Sequence, residues 1–381
     1  MKIGILTQPL HNNYGGLLQC FALQTTLKRL GHDAWVVQRR KEIKQSSFTR
    51  RLFHYVKQVI KVFLGRKFVK LPSAKKMMYV QRNTAYFASE YINPKTKEII
   101  TNSSLEKCHH KSGFNAYIVG SDQVWRPCYS PCITNYFLDF VNPNENIKRI
   151  AYAASFGVND WEFTEEDTTV CKDLLKNFDA ISVREDSAIK LCEKFLGRND
   201  ALHVLDPTML LEKEDYIRLV EKENEPKSKG NLFCYILDES TEKTNIVKNI
   251  ANKICAIPFT QMPKCRITLE NLSKKLDDCT YPAVTAWLRA FMDADMVITD
   301  SFHGCVFSII FNKPFWAIGN ASRGMARFNS LLSIYGLENR LINCENMPND
   351  ITDPIDWDNV NNIHREWKKR SITFLETNLN A

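Results

Sequence analysis

The stretch KIGILTQPLHNNYGGLLQCFALQTTLKRLG, residues 2–31, decides the architecture. It opens on a short apolar strand, KIGILTQ, breaks at a glycine turn and continues as the helix-like GLLQCFALQTTLKRLG. A strand, a glycine turn and a helix make the first half of a βα unit. The alternation repeats downstream: DAWVVQ (33–38), AYIVGSD (116–122), IKRIAYAASFG (147–157), DAISVRE (179–185) and LHVLDPT (202–208) read as further strands. Near-continuous apolar strands separated by amphipathic helices predict a parallel sheet covered on both faces. Ligands then gather beyond the carboxyl ends of the strands.

The polar stretch EKENEPKSKG, residues 221–230, reads as a linker. After it NLFCYILD starts a second βα series, running through CAIPFT, the helix-like AVTAWLRAFMDA, DMVITD and KPFWAIG. The expected fold class is therefore α/β, with two Rossmann-like domains facing one cleft. The first covers residues 1–220, with a basic helical insertion at about 41–82; the second covers 231–350. WDNVNNIHREWKKRSITFLETNL, within 351–381, is expected to form a C-terminal helix packed across one or both halves.

Composition narrows the class. The chain has 381 residues, 44% hydrophobic and 25% charged, ordinary globular usage and enough for two domains of about 150 to 200 residues. No apolar run approaches the roughly 18 to 20 residues of a membrane-spanning helix, and MKIGILTQPLHNNYGG has too short an apolar core for a signal peptide, so the expected compartment is the cytoplasm. The 12 cysteines are scattered through apparent helices and strands, as reduced packing residues are. The Cys128–Cys132 spacing does not match common zinc pairs, and Cys108-His109-His110 lacks a second ligand pair, so no metal is expected.

The net charge of +8 is uneven. Residues 39–82 hold 14 Lys or Arg against one acid, Glu42, a local excess of +13 that leaves −5 for the rest. Within it, Leu52, Tyr55, Val56, Val59 and Phe63 recur at helical intervals while Lys57 and Lys61 fall on another face. This is the pattern of a basic amphipathic helix, suited to lie on an anionic membrane through residues 51–70, or equally to pack on the protein's own core. No nucleic-acid motif accompanies the charge, so nucleic acid is not an expected partner.

Several strand ends carry chemistry-bearing residues. Gly120-Ser121-Asp122-Gln123-Val124-Trp125 follows YIV, Ser155-Phe156-Gly157 follows YAA, and Val183-Arg184-Glu185 ends AIS. Each alone is common punctuation, a helix cap or a surface ion pair; their joint occurrence at one edge of a sheet points to a site. TDSFHG (299–304) belongs with them: Asp300 or Ser301 can cap the next helix, Gly304 permits close backbone approach, and His303 falls in the first turn. Free N–H groups and the helix dipole favour a phosphate or carboxylate there. A bound dianion would favour the imidazolium, able to bind phosphate and deliver a proton. The bland alternative is a neutral histidine bonded to a carbonyl.

Taken together, these motifs resemble the polysaccharide pyruvyl transferase family. The resemblance runs from Asn13-Tyr14-Gly15-Gly16-Leu17-Leu18-Gln19 and Ala22-Leu23-Gln24, through GSDQVW, ASFG, SVRE and DPT, to TDSFHG. It implies a fold like that of two-domain (GT-B-like) glycosyltransferases. It also implies transfer of pyruvate from phosphoenolpyruvate to a sugar of a bacterial surface glycan, usually as a cyclic ketal, with no cofactor beyond the donor. The family's histidine falls on His303, its acidic residue on Asp122 and its arginine on Arg184. Many members carry Arg-Leu before the histidine, where this chain has Ser301-Phe302; Arg323 and Arg327, in SRGMARF, are the nearest replacements for the missing charge.

The implied chemistry assigns His303 as acid or phosphate contact and Asp122 as base or acceptor for the attacking hydroxyl. Phosphoenolpyruvate carries two anionic groups, so Arg184, Arg323, Arg327, Ser301 and Gly304 are expected around the donor. Gly15, Gly16, Ser121 and Trp125 are expected around the acceptor, with Trp125 stacking on the sugar. The basic segment suits an acceptor carried on polyprenyl diphosphate at the inner membrane face. Two alternatives stay open at this stage: a nucleotide-sugar glycosyltransferase on the same architecture, and a non-catalytic glycan-binding protein.

Overall fold

The computed structural model describes residues 1–41, 74–319, 324–343, 346–348 and 350–380. The expected basic amphipathic helix at 51–70 and Arg323 lie outside the described residues.

The first half holds a six-stranded sheet of β1 (Lys2–Leu6), β2 (Asp33–Val36), β3 (Ala116–Val119), β4 (Lys148–Ala154), β5 (Ala180–Val183) and β6 (Leu202–His203), in the order β2-β1-β3-β4-β5-β6. All its pairings are parallel. The second half holds β7 (Leu232–Tyr235), β8 (Pro258–Phe259), β9 (Met296–Thr299), β10 (Phe315–Ile318) and β11 (Leu341–Ile342), also parallel, in the order β11-β10-β9-β7-β8. Alternate residues of one strand serve different cores, as the period of two requires. Ala116 and Ile118 join one apolar cluster and Tyr117 and Val119 another; in the second sheet Phe315 and Ala317 separate from Trp316 and Ile318 in the same way. The cluster holding Ile118 and Phe315 is continuous from one half to the other through Leu18, Tyr216 and Trp287.

Strand order reverses once in each sheet, between β1 and β3 and between β7 and β9. Such switch points open crevices, because the connections leave in opposite directions. Bonds between strand ends frame both. At the first, Thr7 Oγ1 donates to the Ser121 carbonyl at 2.9 Å. At the second, the Asp300 carboxylate accepts the N–H groups of Leu237 (2.6 Å) and Asp238 (3.1 Å) and pairs with Lys243 at 2.5 Å.

Two segments tie the halves together. Helix Trp357–Asn380 starts on the second half, where His364 Nδ1 lies 2.9 Å from the Tyr335 hydroxyl. It ends on the first, where Ser371 Oγ accepts the Leu205 N–H at 3.0 Å and Lys148 donates to the Asn378 carbonyl at 3.2 Å. Helices Ala74–Val80 and Arg82–Glu90 reach the other way: the Val80 carbonyl accepts the Tyr281 N–H at 2.9 Å and Asn83 donates to the Tyr281 carbonyl at 2.8 Å. No helix among the described residues is long and apolar enough to cross a membrane.

Candidate active site

The two switch points meet at a cleft of about 410 Å³, whose walls include Asp122 and Gln123 from the first half and Ser301, Phe302, His303 and Arg327 from the second. Helices Tyr14–Arg29 and Phe302–Ile310 both begin there. Asn13 caps the first, its side chain accepting the Gly16 N–H at 3.2 Å. Ser301 occupies the cap position of the second but makes no side-chain cap bond, which leaves the first-turn N–H groups to the cleft. Asp300, the other expected cap, is instead the partner of Leu237, Asp238 and Lys243.

His303 is 6% exposed and stands between the two halves. Its Nε2 lies 3.6 Å from Asp206 Oδ2 and makes no hydrogen bond. On the Nδ1 side is Gly15, where a Cβ would lie 2.0 Å from that nitrogen, so a glycine is required. Gly15 was expected at the acceptor; it is buried and serves to seat the imidazole. Gly304 packs within its own half, since a Cβ would meet Thr299 Oγ1 at 2.1 Å. Gly16 is spent on the first-turn bond to Asn13.

Behind the histidine lies a buried ion cluster. Arg184 donates through one terminal nitrogen to Asp206 Oδ2 at 2.8 Å and through the other to Asp122 Oδ1 at 3.3 Å. Asp206 Oδ1 accepts the Thr208 hydroxyl at 2.7 Å and its N–H at 3.0 Å. Burial alone would raise the Asp206 carboxyl, but His303 and Arg184 outweigh it and hold the group far below the usual carboxylate range. Asp122 is pushed up by burial and pulled down more strongly by Arg184, His303 and Arg327, so it too stays ionised. Arg184, disfavoured by burial, is raised by Asp206, Asp122 and Glu185. It is therefore a buried member of the cluster rather than an open anchor for the donor.

Arg327 is the single arginine or lysine among the described cleft-lining residues. Burial first, then the like charge of Arg184, brings its guanidinium down to about 10, still protonated at neutral pH. Its helix, Ala326–Tyr335, is docked on the first half by Ser330, whose hydroxyl accepts the Asp186 N–H at 3.0 Å and lies 3.3 Å from His203 Nε2. The Phe302 ring links the cations, 4.6 Å from the Arg184 guanidinium and 5.7 Å from that of Arg327. Phe302, where the expected pattern has leucine, thus joins the two charges.

Two acceptor expectations are corrected by burial. Trp125 is fully buried, stacked on Phe137 at 5.2 Å with its Nε1 donating to the Tyr136 carbonyl at 3.0 Å, so no sugar can reach it. Ser121 is also fully buried and donates to the Ala153 carbonyl at 2.8 Å. Asp206 is not among the residues the sequence assigns to the site, and Glu185 is noted there only as part of a strand end, although they lie three and two residues past strands in the motifs LDPT and SVRE. Glu185 Oε1 accepts the Ser155 hydroxyl and the N–H groups of Phe156 and Gly157, each at 2.9 Å, and so fixes the ASFG loop.

The profile of the polysaccharide pyruvyl transferase family matches residues 13–322, which contain His303, Asp122, Arg184 and Asp206. The chain belongs to the polysaccharide pyruvyl transferase family. Membership makes it a transferase acting on polysaccharides. Among solved structures it is similar to a glycosyltransferase from Rickettsia africae ESF-5, with 10% identity, 100% of this chain and 97% of that chain covered, and a TM-score of 0.46. It is also similar to UDP-GlcNAc 2-epimerase from Neisseria meningitidis, with 8% identity, 97% and 94% covered, and a TM-score of 0.49. MurG from Acinetobacter baumannii gives 8% identity, 98% and 94% covered, and a TM-score of 0.41. No curated protein matches the sequence. The family member's own architecture is two parallel α/β sheets with a cleft at their switch points.

Proposed function

We propose that the protein moves the pyruvyl group of phosphoenolpyruvate onto a sugar of a bacterial surface polysaccharide precursor and closes it as a cyclic ketal. The observation that carries this is the meeting of two helix N-termini, Arg327 and His303 at one cleft. Backbone N–H groups at helix starts and a protonated guanidinium fit a small ligand with both a phosphate and a carboxylate.

In this mechanism the His303 imidazolium, steadied by Asp206, gives a proton to the methylene carbon of the donor. Positive charge develops on the adjacent carbon, and a sugar hydroxyl adds there. Phosphate leaves, a second hydroxyl of the same sugar adds, and of the two hydroxyl protons one restores the imidazolium and the other departs with the phosphate as hydrogen phosphate. Asp122 accepts the hydrogen bond of the attacking hydroxyl; its low proton affinity suits it to orient that group rather than to keep the proton.

The local charge of +13 at residues 39–82 supports an acceptor on polyprenyl diphosphate, met from the cytoplasmic side by peripheral contact with an anionic membrane. The test is incubation with phosphoenolpyruvate and galactose-, mannose- and glucose-type lipid-linked acceptors, with and without anionic liposomes, reading phosphate release and product mass. The expected result is phosphate release coupled to a pyruvylated product. Saturable binding of nucleotide sugars with none of phosphoenolpyruvate would overturn the proposal.

A further inference from the structure

The cleft wall beside Asp122 is held by a network that leaves its amides a single orientation. Gln8 donates through Nε2 to the Gln123 carbonyl at 2.7 Å and to the Ser130 hydroxyl at 3.1 Å. Ser130 gives its own proton to the Val124 carbonyl at 2.6 Å, so it can only accept from Gln8. Arg126, which can only donate, gives an N–H to Gln123 Oε1 at 3.2 Å and fixes that amide as well. A two-bonded pair with Glu162, at 2.8 and 2.9 Å, anchors Arg126 and offsets its charge. Its guanidinium also lies 4.9 Å from the centre of the Tyr129 ring, a cleft-lining side chain that is 45% exposed.

Among the described residues this network makes no use of Gln8 Oε1 or Gln123 Nε2. One is an acceptor, the other a donor, and both residues line the cleft next to Asp122. We propose that Gln8, Gln123 and Tyr129 form the acceptor subsite and that it takes the ring of a neutral pyranose. A fixed acceptor and donor side by side match two neighbouring sugar hydroxyls, each of which both gives and receives a bond. The Tyr129 face turned away from Arg126 supplies a platform for the apolar face of the ring, the part once expected of Trp125. The ionised Asp122 beside Gln123 disfavours a sugar bearing a carboxylate. The assignment rests on the transfer reaction proposed above, in which Asp122 meets the attacking hydroxyl.

The experiment is a saturation-transfer titration of the full chain with methyl β-galactoside, β-glucoside, α-mannoside and β-glucuronide. Phosphoenolpyruvate affinity is measured by calorimetry on the same samples. At least one neutral glycoside should saturate, and the glucuronide should not. Tyr129→Ala and Gln123→Leu should each weaken the neutral glycoside by about tenfold, the size expected for one lost polar or stacking contact. Tyr129→Phe should restore binding, and phosphoenolpyruvate affinity should be unchanged in all three variants. The subsite is overturned if no neutral glycoside saturates, if the variants bind it like wild type, or if the glucuronide binds equally well. Glycoside binding that behaves as described without any phosphoenolpyruvate binding overturns the donor assignment and leaves the sugar subsite standing.

Discussion

The crevice between β1 and β3 and the crevice between β7 and β9 hold equivalent places in their sheets, and each has a buried aspartate at the end of a strand. In the second, Asp300 is bonded to Leu237, Asp238 and Lys243 and so locks two strand ends together. In the first, Asp122 shares Arg184 with Asp206 and faces the cleft. Both aspartates line the cleft, but Asp300 is taken up by strand-end amides and a lysine, whereas Asp122 belongs to the buried ion cluster beside His303. The second half contributes His303 and Arg327 instead. Neither half alone assembles the imidazole with its carboxylates, so cleft chemistry belongs to the pair.

The largest expected effect is at the shared point. His303→Ala should lower the rate of pyruvyl transfer by about 10² to 10⁴, the range for a lost acid or base, measured under single-turnover conditions. An unchanged rate would break the comparison outright. Next come the two buried aspartates. Asp206→Asn and Asp300→Asn should each destabilise the fold by up to roughly 3–5 kcal/mol, since each takes a carboxylate partner from a largely buried cation, but Asp206→Asn alone should also slow turnover per folded molecule. Chemical denaturation and active-site titration separate the two.

The Asp206 contribution also has a direction in pH. Its carboxyl is held below its unfolded value of about 3.9, so the stabilisation is fully present above roughly pH 5 and is lost as pH falls through 3.9 toward the lower folded value. The stability gap between wild type and Asp206→Asn should therefore close in acid.

Smaller effects sharpen the picture. Gly15→Ala places a methyl against His303 and should cost about 1–3 kcal/mol with a fall in kcat, read by unfolding and kinetics together. Ser301→Ala should change stability by no more than about 0.5 kcal/mol, well below a usual cap loss of about 1 kcal/mol, because the hydroxyl makes no cap bond.

The two crevices also show what could be read from residue order. Strands such as AYIV, AISV, MVIT and FWAI are apolar at all but Ser182 and Thr299 because parallel strands are covered on both faces, and all four are buried throughout. Parallel strands also bring their carboxyl ends to one edge, which groups Asp122 with Arg184 in the first sheet and sets His303 at the matching edge of the second. Exposure was not legible. Trp125 and Tyr129 lie four positions apart, yet one packs on Phe137 and the other faces the cleft, a difference fixed by packing outside the local pattern. Gly15 was read as a ligand contact because its partner, His303, comes from the far half of the chain. Asp206 was passed over because its value comes from Arg184 and His303, neither of them near it in sequence.

Ser371 holds the Leu205 amide one residue before Asp206. On the ribosome, the first lobe emerges long before that hydroxyl exists, so the segment carrying Asp206 gains this bond only after the second sheet has been made and helix Trp357–Asn380 has folded back. A carboxylate segment of the lobe translated first is thus held in place by the helix translated after both sheets.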